Sequence, residues 1–250
     1  MPAPHANALR EVIGTARNIV FFGGAGVSTE SGIPDFRSAD GLYAARSAYG
    51  HRPEDILSIT FLEDRPDVFF DYWVHHILHL DAQPNAAHRA LAHLEDEGRL
   101  TAVVTQNIDG LHQEAGSRTV HELHGSVRRN HCRDCGEAHD VAAIVAGAAS
   151  PGGVPRCDRC CGVVRPDVVL YGEVLDDDVV AASIDAIREA DVLIVGGTSL
   201  VVYPAAGLIH YFRGHRLVLI NRDPTPYDEL AHLVVRAPIG EVLGGAVLGH

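Results

Sequence analysis

Residues 19–38 read Ile-Val-Phe-Phe-Gly-Gly-Ala-Gly-Val-Ser-Thr-Glu-Ser-Gly-Ile-Pro-Asp-Phe-Arg-Ser. The short apolar run at residues 18–22 is rich in branched and aromatic side chains, which is typical of a strand buried on both faces of a parallel sheet. Gly23, Gly24 and Gly26 end this run, and without Cβ atoms they let the backbone turn sharply and approach a ligand closely. Amides at the start of a following helix can then point at a phosphate. The stretch predicts a strand followed by a pyrophosphate-binding loop.

The glycine pattern alone is a weak signal for a nucleotide. In the usual dinucleotide-binding fingerprint G-x-G-x-x-G, the third glycine would fall at position 29, where this chain has Thr29. A tight strand-to-helix turn without any ligand explains the glycines about equally well. Motifs elsewhere in the chain are needed to distinguish a nucleotide-binding loop from a turn without a ligand.

Composition and charge limit the class of protein. The chain has 250 residues, 46% hydrophobic and 21% charged, as in an ordinary soluble globular protein with one large domain or a domain with an insert. We find no signal peptide and no apolar run long enough to span a membrane, and we therefore expect a cytoplasmic protein. The net charge of -13 argues against a general nucleic-acid binder and favours basic partners. The chain contains no lysine.

The pattern of apolar residues predicts alternating strands and helices. Helices are predicted over residues 4–17, 84–98 and 176–190, and an aromatic-rich helical module over residues 39–80. Strands are predicted over residues 18–22, 101–105, 168–171, 192–196 and 217–221, with 233–236 as a further candidate. This alternation indicates an α/β fold with a doubly wound, Rossmann-like parallel sheet.

Two C-x-x-C pairs lie between the predicted strands, formed by Cys132 with Cys135 and by Cys157 with Cys160. Four thiolates in this arrangement are typical of a tetrahedral zinc site, although the spacer between the pairs is slightly long. Such a site is structural, because no position is left for water or substrate. Disulfides are the alternative, which a reducing cytoplasm disfavours. Cys161 could replace Cys160, but C-x-x-C geometry favours Cys161 as a spare thiol.

Four stretches together resemble the sirtuins, which are NAD-dependent protein lysine deacylases. They are Gly-Ala-Gly-Val-Ser-Thr-Glu-Ser-Gly-Ile-Pro-Asp-Phe-Arg at 24–37, Thr-Gln-Asn-Ile-Asp at 105–109 with His124-Gly125, the paired cysteines leading to Arg-Pro-Asp at 165–167, and Gly-Thr-Ser-Leu-Val-Val-Tyr-Pro at 197–204. The resemblance covers nearly the whole chain in the same order.

The resemblance implies a division of the chain and two bound molecules. Residues 1–38, 81–127 and 166–250 would form the Rossmann-like NAD-binding domain. Residues 39–80 would form a helical module and residues 128–165 a zinc-binding module. NAD and an acyl-lysine peptide would bind in the cleft between the large domain and the inserted part.

The resemblance also implies the reaction and its central residues. The acetyl group of acetyl-lysine would be transferred to ADP-ribose, with release of nicotinamide and O-acetyl-ADP-ribose. His124 matches the general base of the family, a task that suits a side chain titrating near neutrality. Asn107 and Gln106 would orient the ribose, while Ile108 and Asp109 would hold the nicotinamide.

The remaining implied positions lie along NAD and the peptide. The implied NAD contacts are Gly24, Ala25, Gly26, Ser28, Asp35, Phe36, Arg37, Gly197, Thr198, Ser199, Asn221, Arg222 and, through its backbone, Ile239. The peptide would pair as an added strand with Val169, Tyr171 and Gly172 on one side and with Val201 and Val202 on the other.

Simpler roles exist for two of the central residues. Without the family pattern, His112 or His121 would be equally plausible as the base. Asp109 could instead cap the helix that follows it, since aspartate is favoured at that position. The strand-end placement together with the motif favours the functional interpretation of both residues.

The acyl preference follows from two aromatic positions. Sirtuins that prefer succinyl or malonyl lysine carry a tyrosine and an arginine three residues apart in the helical module, and the guanidinium can pair with a carboxylate. The aligned positions here are Phe70 and Trp73, neither of which offers a cation. We expect removal of acetyl or another neutral acyl group from peptides with basic flanks.

Four other functions are alternatives to a deacylase. They are a mono-ADP-ribosyltransferase, an NAD hydrolase, a non-catalytic NAD sensor and a dehydrogenase.

Overall fold

The computed structural model describes residues 4–35 and 49–249, and the labels below number the strands and α-helices of these residues. The strands are β1 (Ile19–Gly23), β2 (Leu100–Thr105), β3 (Val120–Glu122), β4 (Gly125–Cys132), β5 (Ala138–His139), β6 (Val164–Val168), β7 (Val192–Gly196), β8 (Arg216–Ile220) and β9 (Leu233–Val235).

The α-helices are α1 (Pro4–Thr15), α2 (Pro53–Ile56), α3 (Ile59–Asp64), α4 (Pro66–Tyr72), α5 (Ala86–Asp96), α6 (Leu111–Glu114), α7 (Val141–Ala148), α8 (Asp177–Glu189) and α9 (Ile239–Leu243). Short 3-10 helices cover Ala25–Val27, Thr29–Ser31, Ala205–Tyr211 and Asp228–Leu230, and π-helical turns cover Trp73–Ile77 and Gly244–Leu248. None of the described helices combines the length and apolar character needed to cross a membrane.

The large sheet has six strands in the order β3-β2-β1-β7-β8-β9, and every neighbouring pair is parallel. The chain adds β2 and β3 on one side of β1 and adds β7, β8 and β9 on the other. This reversal leaves a crevice at the carboxyl ends of β1, β2 and β7, which is where doubly wound sheets bind ligands. The predicted doubly wound parallel sheet is confirmed.

Two hydrophobic cores cover the faces of this sheet. Every residue of β1 is buried, and because side chains alternate along a strand they divide between the cores. Ile19 and Phe21 pack with α1, α5 and α9 in one core. Val20 and Phe22 pack with α8 and the 3-10 helix Ala205–Tyr211 in the other. Burial on both faces explains why β1 is apolar at consecutive positions.

A smaller antiparallel sheet has the order β5-β4-β6. The strand predicted at residues 168–171 is therefore wrong, because β6 ends at Val168 and pairs with β4 instead of joining the large sheet. The residues after Val168 leave this ladder, and a single backbone bridge joins Tyr171 to Ser58. The short strand β3 was not predicted. The other predicted strands and helices outside residues 39–80 begin and end within two residues of the observed ones.

A third core joins the aromatic helices to the cysteine segment. Phe69, Phe70 and Trp73 pack with Ile144 and Val164 in one buried cluster. The rings of Phe69 and Trp73 are stacked with centroids 5.5 Å apart. These three aromatic residues are thus core, and they pack against the segment that carries the cysteines. The boundaries of the two inserted modules stay a prediction.

Candidate active site

The loops that follow β1 and β7 touch through their glycines. The amide of Gly26 donates to the carbonyl of Gly197 at 2.8 Å. A Cβ on Gly26 would lie 2.8 Å from Gly197 Cα, and a Cβ on Gly24 would lie 2.8 Å from Thr198 Cβ. Gly197 itself has φ of +58°, which favours glycine. The glycines therefore allow a close approach of two strand ends, and this approach shapes the floor of the crevice.

A polar cluster of the buried Ser28 and Asn107 and the half-buried Asp109 lies where the glycine loop meets the end of β2. The Ser28 hydroxyl donates to Asp109 Oδ2 at 2.7 Å and accepts from Asn107 Nδ2 at 3.1 Å. The second carboxylate oxygen of Asp109 accepts from the amide of Leu111 at 2.9 Å, at the start of α6. Asp109 thus supports a helix start with one oxygen and joins the cluster with the other. The N-cap of α6 is Gly110, so Asp109 is not the cap itself, and its bond to Leu111 is compatible with its predicted binding role.

His124 lies between β3 and β4, with its ring fixed by a backbone carbonyl. Nδ1 of His124 lies 2.9 Å from the carbonyl oxygen of Gln106. Because a carbonyl only accepts, Nδ1 carries the proton and Nε2 is left as the basic nitrogen. Burial lowers the pKa of His124 below its ordinary value, although the bond to Gln106 opposes this shift. The imidazole is therefore neutral near pH 7 and able to accept a proton.

His112, an alternative base at the sequence level, has a different environment. It is buried, and its ring packs at 4.7 Å between centroids against the equally buried His88. Burial lowers the pKa of His112 well below its ordinary value. A ring enclosed in this way cannot exchange protons with a ligand in the crevice. The geometry therefore favours His124 over His112 as the base.

The side chains after β2 and β7 are linked across the crevice. Gln106 Nε2 donates to Thr198 Oγ1 at 3.3 Å. On the far side of the glycine loop, Arg222 Nη2 donates to Thr29 Oγ1 at 3.0 Å. Ile239 differs from these polar residues, because its side chain is buried and fills the space beside Gly196. Only the backbone of Ile239 is therefore available for the adenine contact that was predicted.

Most of the other predicted cofactor positions lie in the segments that follow β1, β2, β7 and β8. Ala25, Asp35 and Ile108 are half-buried. Ser199, after β7, is exposed. Asn221 follows β8, and its side-chain amide donates to the carbonyl of Asp223 at 2.9 Å. Phe36 and Arg37 lie outside the described residues.

The predicted peptide-facing segment is connected to His124. The amide of Val169 donates to the carbonyl of His124 at 3.0 Å. Tyr171 is 48% exposed and Gly172 has φ of +92°, so that the chain turns directly after the segment. Val201, in the loop after β7, is 47% exposed. Exposed apolar side chains of this kind can pack against an extended peptide.

The four cysteines of the C-x-x-C pairs converge on one point. Their Sγ atoms all lie within 4.8 Å of one another, with Cys132 and Cys160 at 3.4 Å and Cys135 and Cys157 at 3.7 Å. Zinc–sulfur bonds of about 2.3 Å in a tetrahedron place sulfurs about 3.8 Å apart, so the cluster fits a zinc ion. Cys161 is exposed, has φ of +62° and is not part of the cluster. The predicted set of thiols is thus the one that converges.

A model of the Sir2 family matches residues 24–204. The chain belongs to the Sir2 family. This match contains the glycine loop, the polar cluster, His124 and all four converging cysteines. The sirtuin resemblance of the four motifs is thereby confirmed.

Curated and solved Sir2 relatives agree with this assignment. An NAD-dependent protein deacetylase of Clostridium acetobutylicum is 54% identical over 237 residues, which cover 95% of this chain and 96% of the relative. A Sir2 variant solved with a deacetylated p53 peptide and 3′-O-acetyl ADP-ribose is 37% identical, with a TM-score of 0.88 over 97% of this chain and 96% of that chain. A Sir2 complex with a p53 peptide and NAD⁺ is 37% identical, with a TM-score of 0.84 over 94% of each chain.

Some Sir2 residues at this site had no predicted role. Glu30, within the first motif, accepts the amide of Gly240 at 2.8 Å and so ties the glycine loop to α9. The buried Arg165 and the half-buried Glu173 form an ion pair beside the predicted peptide segment. Arg165 lies in a quoted motif, but sequence spacing gives no sign that its partner is eight residues further on. Only the folded backbone brings these two side chains together.

Proposed function

We propose that this chain is an NAD-dependent protein lysine deacetylase, which transfers the acetyl group of acetyl-lysine to ADP-ribose and releases nicotinamide and O-acetyl-ADP-ribose. One observation carries the proposal, namely that a neutral, backbone-oriented His124 lies at the same crevice as the Ser28–Asn107–Asp109 cluster. The named activity of the Clostridium relative and the ligands of the Sir2 complexes support the same reaction.

The residues at the crevice suit NAD. Bound NAD supplies the ADP-ribose that accepts the acyl group, with nicotinamide as the leaving group. A carboxamide both donates and accepts hydrogen bonds, and the Ser28–Asp109 pair offers an acceptor oxygen beside backbone amides. Asn107 and Gln106, at the end of β2, would orient the ribose. Ser28 and Asn107 are buried, so the hydrogen bond between them is protected from competing water.

The phosphates and the adenosine would lie along the loops after β1, β7 and β8. We propose that the loop at Gly24, Ala25 and Gly26 lies against the phosphates, since a loop without bulky side chains permits close approach. Gly197, Thr198 and Ser199 would contact phosphate or ribose from the other side, and Asp35, Phe36 and Arg37 would lie along the cofactor. The adenosine half would contact Asn221, Arg222 and the backbone of Ile239.

His124 is proposed to act as the general base. Its Nε2 would take a proton from a ribose hydroxyl, which then attacks the activated acyl carbon. The bond from Nδ1 to Gln106 fixes the ring and stabilises the imidazolium after proton transfer. A base within hydrogen-bond reach of its proton contributes about 10²–10⁴-fold to a rate.

The substrate is proposed to be a peptide segment carrying a neutral acyl-lysine. The segment at Val169, Tyr171 and Gly172 would pair with the peptide backbone, and Val201 would pack from the other side. Phe70 and Trp73 are fully buried among aromatic neighbours, so the helical module offers no cation at these positions for an acidic acyl group. The net charge of -13 favours basic residues around the target lysine.

The metal is proposed to be a single structural zinc held by Cys132, Cys135, Cys157 and Cys160. Four thiolates complete its tetrahedron, so it would take no part in the reaction. Because these thiols must stay reduced to hold the metal, a cytoplasmic location is part of the proposal.

The function is tested by separating turnover from cofactor binding. His124→Ala should lose at least a hundredfold in deacetylation of an acetyl-lysine peptide, while the dissociation constant for NAD stays within about threefold. His79→Ala, an exchange just after the π-helical turn Trp73–Ile77, is the matched control and should leave both quantities unchanged. Full deacetylation by His124→Ala would remove the assigned base. NAD binding without any turnover in the unmodified protein would favour a sensor.

A further inference from the structure

Arg165 makes a bidentate contact with Glu173, and these two residues flank the predicted peptide segment in the sequence. Nη1 of Arg165 donates to Glu173 Oε1 at 2.6 Å, and Nη2 donates to Glu173 Oε2 at 2.9 Å. The Arg165 side chain is 9% exposed and that of Glu173 is 26% exposed. Parallel hydrogen bonds between a guanidinium and a carboxylate fix both groups in one geometry. We call this pair the Arg165–Glu173 clasp.

The clasp also holds the backbone of the chain between its two residues. Nη2 of Arg165 donates to the carbonyl of Val168 at 2.7 Å, and its Nε donates to the carbonyl of Pro166 at 3.1 Å. Glu173 Oε2 accepts the amide of Leu170 at 2.8 Å. The amide of Glu173 in turn donates to the carbonyl of Leu170 at 3.0 Å, which closes a turn. The side chains of Arg165 and Glu173 therefore stabilise the backbone between them, in which the regular pairing of β6 ends at Val168.

This path connects three parts of the molecule. Val169 donates to the carbonyl of His124, the residue proposed as the base, at 3.0 Å. Tyr171 donates to the carbonyl of Leu57 and accepts the amide of Ile59, both at 3.0 Å. Hydrogen bonds thus join the segment at Val169 and Tyr171 to His124 and to the start of α3, and the clasp adds bonds to Val168 and Leu170. A change in the clasp would move the edge on which a peptide strand must pair.

Glu173 is unavailable to recognise a basic residue of the peptide. Both of its oxygens are occupied by Arg165, and one also accepts an amide. Burial opposes ionisation of Glu173, but the hydrogen bonds from Arg165 and Leu170 outweigh it and hold the pKa below its ordinary value. The carboxylate is therefore charged and already paired. Its contribution to the substrate must come through the backbone that it shapes.

We propose that Arg165 and Glu173 are positioning residues for the acyl-lysine peptide, which preform the segment at Val169 and Tyr171 without touching the substrate. The proposal rests on the proposed function and deepens it. A preformed edge lowers the conformational cost of strand addition, so the clasp raises affinity for the peptide and leaves affinity for NAD unchanged.

Two variants test the clasp. Arg165→Lys keeps the charge but loses the fork, and Glu173→Gln keeps the shape but loses the charge. Each should raise the KM for an acetyl-lysine peptide at least tenfold, with the dissociation constant for NAD within twofold of the unmodified value. The matched control is the exposed pair Arg188–Asp185 on α8, joined at 3.0 Å. Arg188→Lys and Asp185→Asn should leave the peptide KM unchanged.

The readouts separate positioning from general instability. A partly unfolded variant loses NAD-binding stoichiometry and turnover together, but the peptide KM of its folded fraction does not change. Peptide affinity measured by fluorescence anisotropy reports on the clasp even if the unmodified protein lacks deacetylase turnover, an outcome that would reject the proposed function alone. A peptide KM and anisotropy within twofold of the unmodified values in either folded variant would overturn the proposal. A parallel weakening of NAD binding would overturn it as well.

Discussion

His124 owes its proposed role to two opposing influences on one ring. Burial disfavours the imidazolium and lowers its pKa, whereas the carbonyl of Gln106 favours the protonated ring. The net shift is downward. A base with a lowered pKa stays neutral over a wider pH range but accepts a proton less strongly. The environment therefore favours availability of the base near neutral pH.

This shift predicts the acid limb of the pH profile. Activity needs neutral His124, so kcat/KM should fall as pH drops through the folded pKa of this ring, which lies below the ordinary value of 6.5. We expect kcat/KM for the peptide to be level between about pH 7 and 7.5 and to decline below about pH 6.5. Rates measured in buffers of constant ionic strength give the profile. An acid limb centred above pH 7 would contradict the environment assigned to His124.

The loop that follows β7 requires glycine at position 197. Gly197 has φ of +58°, and a Cβ at this position would lie only 2.3 Å from the amide nitrogen of Val27, which leaves no room for a side chain. Gly197→Ala should lower the free energy of unfolding by about 3 kcal/mol, because it combines left-handed strain with overpacking. Denaturant titration of the folded protein measures this change.

Gly14 provides the matched control for Gly197. It lies in α1, where a Cβ would meet nothing within 4 Å. Gly14→Ala should therefore leave stability unchanged or raise it by up to about 1 kcal/mol. Equal effects of the two substitutions would show that the contact between the loops after β1 and β7 is not tight.

The cysteine cluster predicts which thiols a metal requires. Cys160→Ser should reduce bound zinc from one per chain to well below one, whereas Cys161→Ser should keep it, because Cys161 is outside the cluster. Metal analysis of the purified proteins measures the difference. The single tryptophan, Trp73, lies in the core that contains Cys132 and Cys157, so its fluorescence should also change when a chelator removes the metal. Zinc loss in Cys161→Ser alone would reverse the assignment.

The strands of the large sheet could be predicted because each carries its own signal. β1 and β7 are short apolar runs that end in glycine. Because both faces of these strands are buried, apolar residues are required at consecutive positions. β6 could not be placed, because its sequence Val-Arg-Pro-Asp-Val resembles neither an apolar run nor an alternating strand. Its pairing depends on β4, which is far away in the sequence.

The site was predictable only where motifs carry it. The polar cluster and His124 lie in motifs that resemble sirtuins, and the structure brings Ser28, Asn107 and Asp109 into contact. The Arg165–Glu173 clasp has no such signal, because a bidentate contact depends on the turn between the residues. The core shared by the helical and cysteine segments was missed for the same reason. Such contacts are made by tertiary structure and leave no periodic trace in the sequence.

The folded molecule as a whole should be sensitive to acid through its buried histidines. Burial lowers the pKa of His88 from 6.5 to about 4, and that of His112 also falls well below 6.5. The unfolded chain therefore binds more protons below pH 6.5, so stability is full above that pH and is lost as pH falls. His88 alone accounts for about 3 kcal/mol by pH 4.

Denaturant titrations at about pH 7 and pH 5 test this acid sensitivity. His88→Gln removes the titrating ring, and its amide oxygen can still accept a hydrogen bond from the amide of Asn85, which His88 Nδ1 now accepts at 3.2 Å. The loss of unfolding free energy between the two pH values should be smaller in His88→Gln than in the unmodified protein. An unchanged pH slope would show that His88 contributes nothing to acid lability.

The most direct measurement is mass spectrometry of the products formed from NAD and an acetyl-lysine peptide, with a succinyl-lysine peptide in parallel. The chain has no lysine, so every acyl-lysine signal comes from the added peptide. The proposed reaction should give nicotinamide, deacetylated peptide and O-acetyl-ADP-ribose in equal amounts, with much slower loss of the succinyl group. Nicotinamide released without deacetylated peptide would contradict it and would indicate a transferase or an NAD hydrolase.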